Sequence, residues 1–428
     1  MLSQPDAEFA SSQPAIPGLD LILDTESVAD ALRANLPEAD ASNMRQVYTR
    51  YRPPTDCLVA YELQLGGSPT LIYAKAYCAK AYDRLRKTRG TTVDDIVGSG
   101  GLIRDDKMVL VRCFPHDEKL HSLTDLADVR KRSQLLAAVM PDKPEFHNAA
   151  IRPLHYKPER RYVGLIATDR GEQAVLKIYE ETGYRESKRV GTFLSEKPRW
   201  IAHPLGHSDS HRARAFSWSA GVSLSQSVCA ASFDERPIEA AGQILARFHS
   251  RRSTGLYSLS REVEVAQLLI AARAVAVTCE VLAEKARDLA LRIAWVLLAA
   301  PVIRKPVHGD FYPDQAILTE DGIALIDVDA AERGDPATDL GNFIARLEYR
   351  AIRGDLSRDR VQAVGKALVR GYITESAADA PPRIDLYNAV GLLRLAVDPF
   401  RYREPDWPER IAIILNRIDA ILESRSPH

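Results

Sequence analysis

The stretch 307–341 constrains this chain more than any other. It opens Val307-His308-Gly309-Asp310-Phe311-Tyr312-Pro313-Asp314-Gln315, so an aspartate in a tight loop is followed five residues later by an amide side chain. Two short apolar runs, 316–318 and 323–326, flank Glu320-Asp321-Gly322 and predict a hairpin that returns the chain. The second run delivers Asp327 beside the loop. Asp310, Gln315 and Asp327 then converge as two carboxylates and an amide oxygen. Hard oxygen ligands of this kind suit Mg²⁺ and leave one carboxylate free for an incoming hydroxyl. An apolar strand ending in an aspartate is an expensive place for an unpaired charge, which favours a ligand role for Asp327. Asp329 shares its face if the strand persists, and is read as an ordinary turn carboxylate.

Around this segment the chain changes character. Residues 1–45 are rich in Ala, Ser, Pro, Gln and Asp and read as a flexible lead through Ser11-Ser12-Gln13-Pro14, with a short helix over 24–36 ended by Pro37. Strand-like runs follow at 46–51, 57–65, 70–77 and 108–114, with a basic helical segment at 80–87 and a turn at Gly98-Ser99-Gly100-Gly101. A similar order recurs at 151–156, 162–167 and 174–179. Tyr51-Arg52-Pro53 resembles Tyr156-Lys157-Pro158, and Ala74-Lys75-Ala76-Tyr77 resembles Leu176-Lys177-Ile178-Tyr179. An internal repeat of about a hundred residues is one reading of this, and chance likeness of short strands the other. From Pro237 the chain reads as helices, at 239–250, twice within 260–300, and at 339–353, 359–376, 387–395 and 409–424. A strand-rich part followed by a helical part predicts an α+β protein with a cleft between lobes.

Composition narrows the classes of function. With 57 Lys+Arg against 58 Asp+Glu, the net charge of −1 offers no bulk electrostatic grip on nucleic acid, and no nucleic-acid partner is expected. The basic run 80–89 reads as a solvated helix face. Five cysteines without a CxxC pair argue against a disulfide framework or a zinc site. The apolar run 293–302 is too short to span a membrane, and residues 1–12 lack the pattern of a signal peptide. A cytoplasmic location with no membrane partner is expected.

The three linked elements of the 307–341 stretch resemble the catalytic core of protein-kinase-like phosphotransferases, in particular the aminoglycoside phosphotransferase and choline kinase-like branch. His308-x-Asp310 with Gln315 is similar to the HGDxxxxN loop of that family. Asp327 is similar to its metal-binding aspartate, and Gly334-Asp335-Pro336-x-x-Asp339-Leu340 to its GDPxxDLA element. Phe216-Ser217-Trp218-Ser219-Ala220-Gly221-Val222-Ser223-Leu224 resembles the hinge between lobes, and Gly242-x-x-Leu245-Ala246-x-Phe248-His249 the first helix of the C-lobe. Gln315 stands where the family usually has Asn, and maltokinase-like members resemble this sequence in using Gln there. No glycine-rich phosphate loop is found, since Thr168-Asp169-Arg170-Gly171 is only a turn.

This resemblance implies a bilobal protein-kinase-like fold with a β-rich N-lobe and hinge at 146–220, a helical catalytic C-lobe at 221–428, and an additional N-terminal domain at 46–145 resembling a degenerate N-lobe. It implies an ATP- and Mg²⁺-dependent small-molecule kinase that moves the γ-phosphoryl group to a hydroxyl of a small metabolite, first of all a sugar or aminoglycoside-like acceptor. Asp310 is then the catalytic base, and Gln315 and Asp327 the metal ligands. Lys177 serves the nucleotide phosphates, and the hinge places Phe216 and Trp218 at the nucleotide. Lys177 sits in an apolar strand and needs a partner. Helical spacing through Glu186, Val190 and Phe193 nominates Glu186 over Glu181 or Glu196. Lys75 is the rival lysine and is read as surface or structural. His308, Asp335 and Asp339 are expected to brace the loop rather than react. The segment 400–407 is read as a connection between helices with a packed Trp407. The contrasting reading is a nucleotide-binding regulatory protein without transfer activity. The extra N-terminal domain is left three roles: capping the acceptor site, recruiting a partner, or forming a homo-oligomer.

Overall fold

Two five-stranded antiparallel sheets are built from the strand-rich half, and both have the same strand order. The computed structural model describes residues 2–35, 39–65, 67–89 and 101–424. In the first sheet, β1 (Ala39–Arg52), β2 (Asp56–Leu65), β3 (Ser68–Tyr77), β4 (Gly101–Arg104) and β5 (Val109–Cys113) lie in the order β1-β2-β3-β5-β4. In the second, β6 (Ala150–Lys157), β7 (Arg161–Ala167), β8 (Gln173–Tyr179), β9 (Pro204–Ser208) and β10 (Ala213–Ser217) lie in the order β6-β7-β8-β10-β9. A helix follows the third strand in each: Ala79–Arg89 after β3 and Glu181–Arg189 after β8. Of the predicted turn at 98–101, residues 98–100 lie outside the described residues.

Period-two alternation decides which face each side chain takes. In β8, Ala174, Leu176 and Ile178 pack under the helix Val129–Val139, with Leu135, Leu136 and Val139 as their cover. Val175 and Lys177 are thereby turned to the opposite face, where both line a cleft. In the first sheet Val59, Tyr61, Ile72 and Ala74 face the main core, and Lys75 is turned away from it. The helix Val129–Val139 and strand β9 carry weak sequence patterns and were not predicted.

The helical half follows its caps. Ser260 accepts from the Val263 N–H at the start of Arg261–Thr278, and Ser357 from the Arg360 N–H at the start of Arg358–Ser376. Arg236–Ser250 and Arg358–Ser376 pack at very short range. A Cβ on Gly242 would lie 2.1 Å from the Leu368 carbonyl oxygen, and one on Gly371 2.0 Å from that of Glu239, so both positions need glycine. No helix among the described residues is long and apolar enough to cross a membrane.

The N-terminal residues correct an expectation. The lead over 1–45 contains the helices Gln4–Ser12, Leu19–Leu23 and Thr25–Asn35, and β1 already starts at Ala39. Phe9, Ile16, Leu19, Ile22 and Val28 are buried in a core shared with the first sheet and the last helices of the chain. The polar composition hid these few apolar anchors. Their burial is enough to order the segment. The Phe9 ring lies 4.8 Å from that of Phe400, which lies 5.3 Å from Trp407. Arg403 donates to Asp6 (2.5 Å) and to Gln46 (2.7 Å). The segment 400–407 is therefore a packed junction that fastens the first sheet to the C-terminal helices, as its packed Trp407 suggested.

Candidate active site

The residues 308–315 are held from beneath by Asp339. This carboxylate, fully buried in the helix Ala337–Ile352, accepts from the backbone N–H of His308 (2.7 Å) and of Gly309 (2.9 Å). It also contacts His249 Nε2 (2.9 Å), whose Nδ1 meets the Tyr372 hydroxyl at 3.0 Å. A buried carboxylate survives here because each oxygen is matched by donors. His308 Nε2 contacts the Ile326 carbonyl (2.9 Å) and so ties the loop to the segment carrying Asp327. Gly309 has φ +80, and a Cβ there would lie 2.5 Å from the Ala330 carbonyl oxygen. Asp335 accepts from Arg383 (2.6 Å) and from the Ala337 N–H (3.1 Å). His308, Asp335 and Asp339 thus hold backbone and neighbouring side chains. The share of His249 in this brace was not anticipated, because nothing local to Arg236–Ser250 shows that Asp339 will meet it.

The predicted hairpin forms from Ala316–Thr319 and Gly322–Leu325, with Ala316 opposite Leu325. Asp327 follows with φ +57, and Val328–Ala330 turns rather than continuing the strand. The shared strand face expected for Asp327 and Asp329 is therefore absent, but the turn still brings both carboxylates to one lysine. Lys177 Nζ donates to Asp327 Oδ1 (2.7 Å) and to Asp329 Oδ2 (2.8 Å), and the Tyr179 hydroxyl also donates to Asp329 (2.7 Å). Asp329 is accordingly more than a turn carboxylate.

The partner nominated for Lys177 is corrected. Glu186 sits on the outward face of Glu181–Arg189, whose buried residues are Tyr184 and Ser187. It lines a separate cavity of about 500 Å³ behind residues 329–335, and no ion pair joins it to Lys177 among the described residues. Its helix is short and turned so that Tyr184 and Ser187 fill the interior positions. Sequence spacing alone does not set that rotation.

Arg161 was missed altogether. From the start of β7 it grips Asp327 with two parallel bonds, 2.9 and 3.0 Å. The signal was present: Lys157-Pro158-Glu159-Arg160-Arg161 is the turn of the hairpin that leads into the lysine strand, with Lys157 opposite Arg161. Burial would raise the Asp327 carboxyl, but Lys177 and Arg161 outweigh it and hold it well below the usual carboxylate range.

A cavity of about 270 Å³ gathers five of the seven predicted site residues: Lys177, Phe216, Trp218, Gln315 and Asp327, with apolar walls from Val163, Val175 and Ile326. The Lys177 Nζ lies 4.6 Å from the centre of the Phe216 ring. The pocket thus has an apolar floor for a flat ring and a charged end. At that end the Gln315 amide and the Asp327 carboxylate are the oxygen donors, a hard set that fits Mg²⁺ completed by water and phosphate oxygens. Asp310 is exposed and is not among the residues that line this cavity, although the charge of Asp327 reaches it. Surrounding protein mass raises its carboxyl above the ordinary aspartate value, against the pull of Arg346 and His308. Arg346 lies over the Tyr312 ring, 4.8 Å from its centre.

A family model and several solved structures are similar to this chain. The family described as phosphotransferase enzyme family (APH) matches residues 161–387, just over half of the chain. The chain belongs to that family. No curated protein matches the sequence. Among solved structures, a thermostable mutant of aminoglycoside phosphotransferase APH(4)-Ia, in ternary complex with ADP and hygromycin B, is similar at 15% identity, over 68% of this chain and 100% of that one, with a TM-score of 0.48. A choline/ethanolamine kinase family protein from Mesorhizobium loti is similar at 15% identity, over 69% and 95%, with a TM-score of 0.48. The amicoumacin kinase hAmiN, in complex with AMP-PNP, Ca²⁺ and Ami, is similar at 12% identity, over 68% and 92%, with a TM-score of 0.48. The fold is the bilobal kinase-like one expected, with an α+β composition, and the protein is a phosphotransferase.

Proposed function

We infer that this protein is an ATP-dependent small-molecule kinase that transfers the γ-phosphoryl group to a hydroxyl of a small metabolite, with a sugar or aminoglycoside-like compound as the first acceptor class to try. The observation that carries the reading is the common cavity of Lys177, Gln315 and Asp327, with the Asp310 loop held against it by Asp339.

In this reading Phe216 and Trp218 receive the adenine ring, and Lys177 neutralises the nucleotide phosphates. Gln315 and Asp327 hold Mg²⁺, which when bound offsets phosphate charge. Asp310 accepts a hydrogen bond from the acceptor hydroxyl, aligns its oxygen for attack on the γ-phosphorus, and takes its proton as the new P–O bond forms and the bond to ADP breaks. Its raised pKa makes it a better proton acceptor than an unperturbed aspartate. His308 and Asp339 keep the loop in place. The reading divides the chain into an N-terminal unit (46–145), an N-lobe with hinge (146–220) and a catalytic lobe (221–428), and places it in the cytoplasm.

The test is ADP release from Mg-ATP across sugars, aminoglycosides and amino alcohols, with Asp310→Ala and Asp327→Ala beside the wild type. Acceptor-dependent turnover lost in both variants is the expected result. Nucleotide binding without turnover on any acceptor would turn the reading toward a regulatory protein, and no binding at all would remove the nucleotide site.

A further inference from the structure

The first sheet sends its own lysine into the second. Lys75 is buried, and its Nζ donates to Glu159 Oε1 at 2.6 Å and lies 3.3 Å from Glu118. Glu159 belongs to the turn between β6 and β7, across the boundary between the two sheets. It is 1% exposed and has φ +57, a conformation disfavoured for any residue with a Cβ. Its other oxygen accepts from Arg50 at 2.6 Å, and Arg50 also donates to the Pro158 carbonyl (3.1 Å). Lys119 and Arg52 stand 3.8 and 3.9 Å away. The turn is fixed from a third side, where Asp117 accepts from the Glu159 N–H (2.7 Å) and the Tyr156 hydroxyl (2.6 Å).

Two residues beyond Glu159, the same hairpin carries Arg161 onto Asp327. Lys157 lies directly across the hairpin from Arg161, and its charge is felt at Asp310. The hairpin therefore brings Arg161 to the carboxylate assigned to the metal, and its turn holds no glycine. Any anion seated beside Lys177 and Asp327 comes within reach of Arg161.

We propose that the N-terminal sheet is an internal clamp on this hairpin: Lys75 and Arg50 hold Glu159, and the held hairpin aims Arg161 at the phosphate chain of a nucleoside triphosphate, in place of a flexible glycine loop. Glu159 is a positioning residue and Arg161 a phosphate contact. The proposal rests on the reading of Lys177 and Asp327 as the nucleotide site. It gives the extra N-terminal sheet a task inside the same molecule.

Calorimetric binding of adenosine and of Mg-ATP to the full chain tests it, with Glu159→Gln, Arg161→Gln and the double variant. Each single variant is expected to weaken Mg-ATP about tenfold or more and to leave adenosine nearly unchanged, because only the phosphate contact is a lost charge-assisted bond. The double variant is expected to bind Mg-ATP no more weakly than Arg161→Gln alone, since Glu159 acts through Arg161. Additive losses, an equal loss of adenosine, or unchanged Mg-ATP binding in the single variants would each overturn the clamp. If Glu159→Gln does not fold, Arg50→Gln takes its place in the same cycle, because it leaves Lys75 on the carboxylate. A wild-type chain that binds neither ligand would sink the nucleotide site itself, a result distinct from a site that binds but ignores the clamp.

Discussion

Lys75 and Lys177 occupy the third strands of two sheets with one strand order, and they have come to opposite uses. Each sits in an apolar run, each turns away from its sheet's packed face, and each holds a carboxylate together with an arginine: Arg50 beside Lys75, Arg161 beside Lys177. What differs is the far side. The Lys75 carboxylate is Glu159, whose side chain is wholly inaccessible, whereas the Asp327 side chain keeps 15% of its surface open to a cavity. A closed ion pair is a structural rivet, while an open one can exchange its partner for a ligand. The same strand pattern thus yields a binding site only where a cleft is left over it. This also corrects half of the reading of Lys75, which is structural and not a surface residue.

Activity should show the largest contrast. Lys177→Met is expected to lower kcat/KM by about 10²–10³, the usual loss of a positioned charge. Lys75→Met acts only through the hairpin, so its smaller loss should fall on KM for ATP. A greater loss of ATP affinity from Lys75→Met than from Lys177→Met would break the comparison.

Stability should show the reverse order. Removing Lys75 leaves Glu159 buried against fewer cations, at a cost of about 3 kcal/mol read from urea unfolding. Lys177→Met should cost less, because Asp327 keeps its paired bonds to Arg161 and its contact with the cleft. Equal costs would mean that the two pairs are not closed and open in the way the geometry indicates.

Acid should sharpen the contrast further. Burial pushes the Glu159 carboxyl up, but Lys75 and Arg50 bring it down to about 2, against an ordinary value of 4.5. A group with a depressed folded-state pKa stabilises above its unfolded value and loses that contribution as pH falls through the folded one. Wild-type stability should therefore decline from about pH 4.5 toward pH 2 by an amount that Glu159→Gln lacks. Parallel acid limbs in urea midpoints would contradict this.

The smallest effect concerns Asp310. Its pKa is raised, so the acid limb of kcat/KM should lie above the ordinary aspartate value of 3.8. The neutral variant Asp310→Asn should leave a residual rate without that limb. A limb at or below 3.8 would place Asp310 outside the proton transfer.

Much of the site was legible because its parts are local. The spacing from Asp310 to Gln315 and the hairpin leading to Asp327 lie within twenty residues, where turn chemistry and alternation govern geometry. The lysine strand could be read for the same reason, since an apolar run with one cation must find that cation a partner. Glu186 failed at the next step. Helical spacing gives a face but not its rotation against the rest of the molecule, and the carboxylates that met Lys177 came from 150 residues away. Within 1–35 only the helix Thr25–Asn35 was legible; Gln4–Ser12 and Leu19–Leu23 were not, because few apolar residues anchor them and those anchors count only against the first sheet and Phe400 far along the chain.

Short-range spacing along the chain was enough to specify the family, the lobed α+β architecture and the loop that carries Asp310, Gln315 and Asp327, because turns and alternation act over a few residues. It took the folded chain to show that Asp327 and Asp329, rather than Glu186, hold Lys177, that Arg161 grips Asp327, and that Glu159 closes around the second lysine. Those choices are made by contacts between segments far apart in the chain, where burial forces each charge to find whichever partner the fold brings near it.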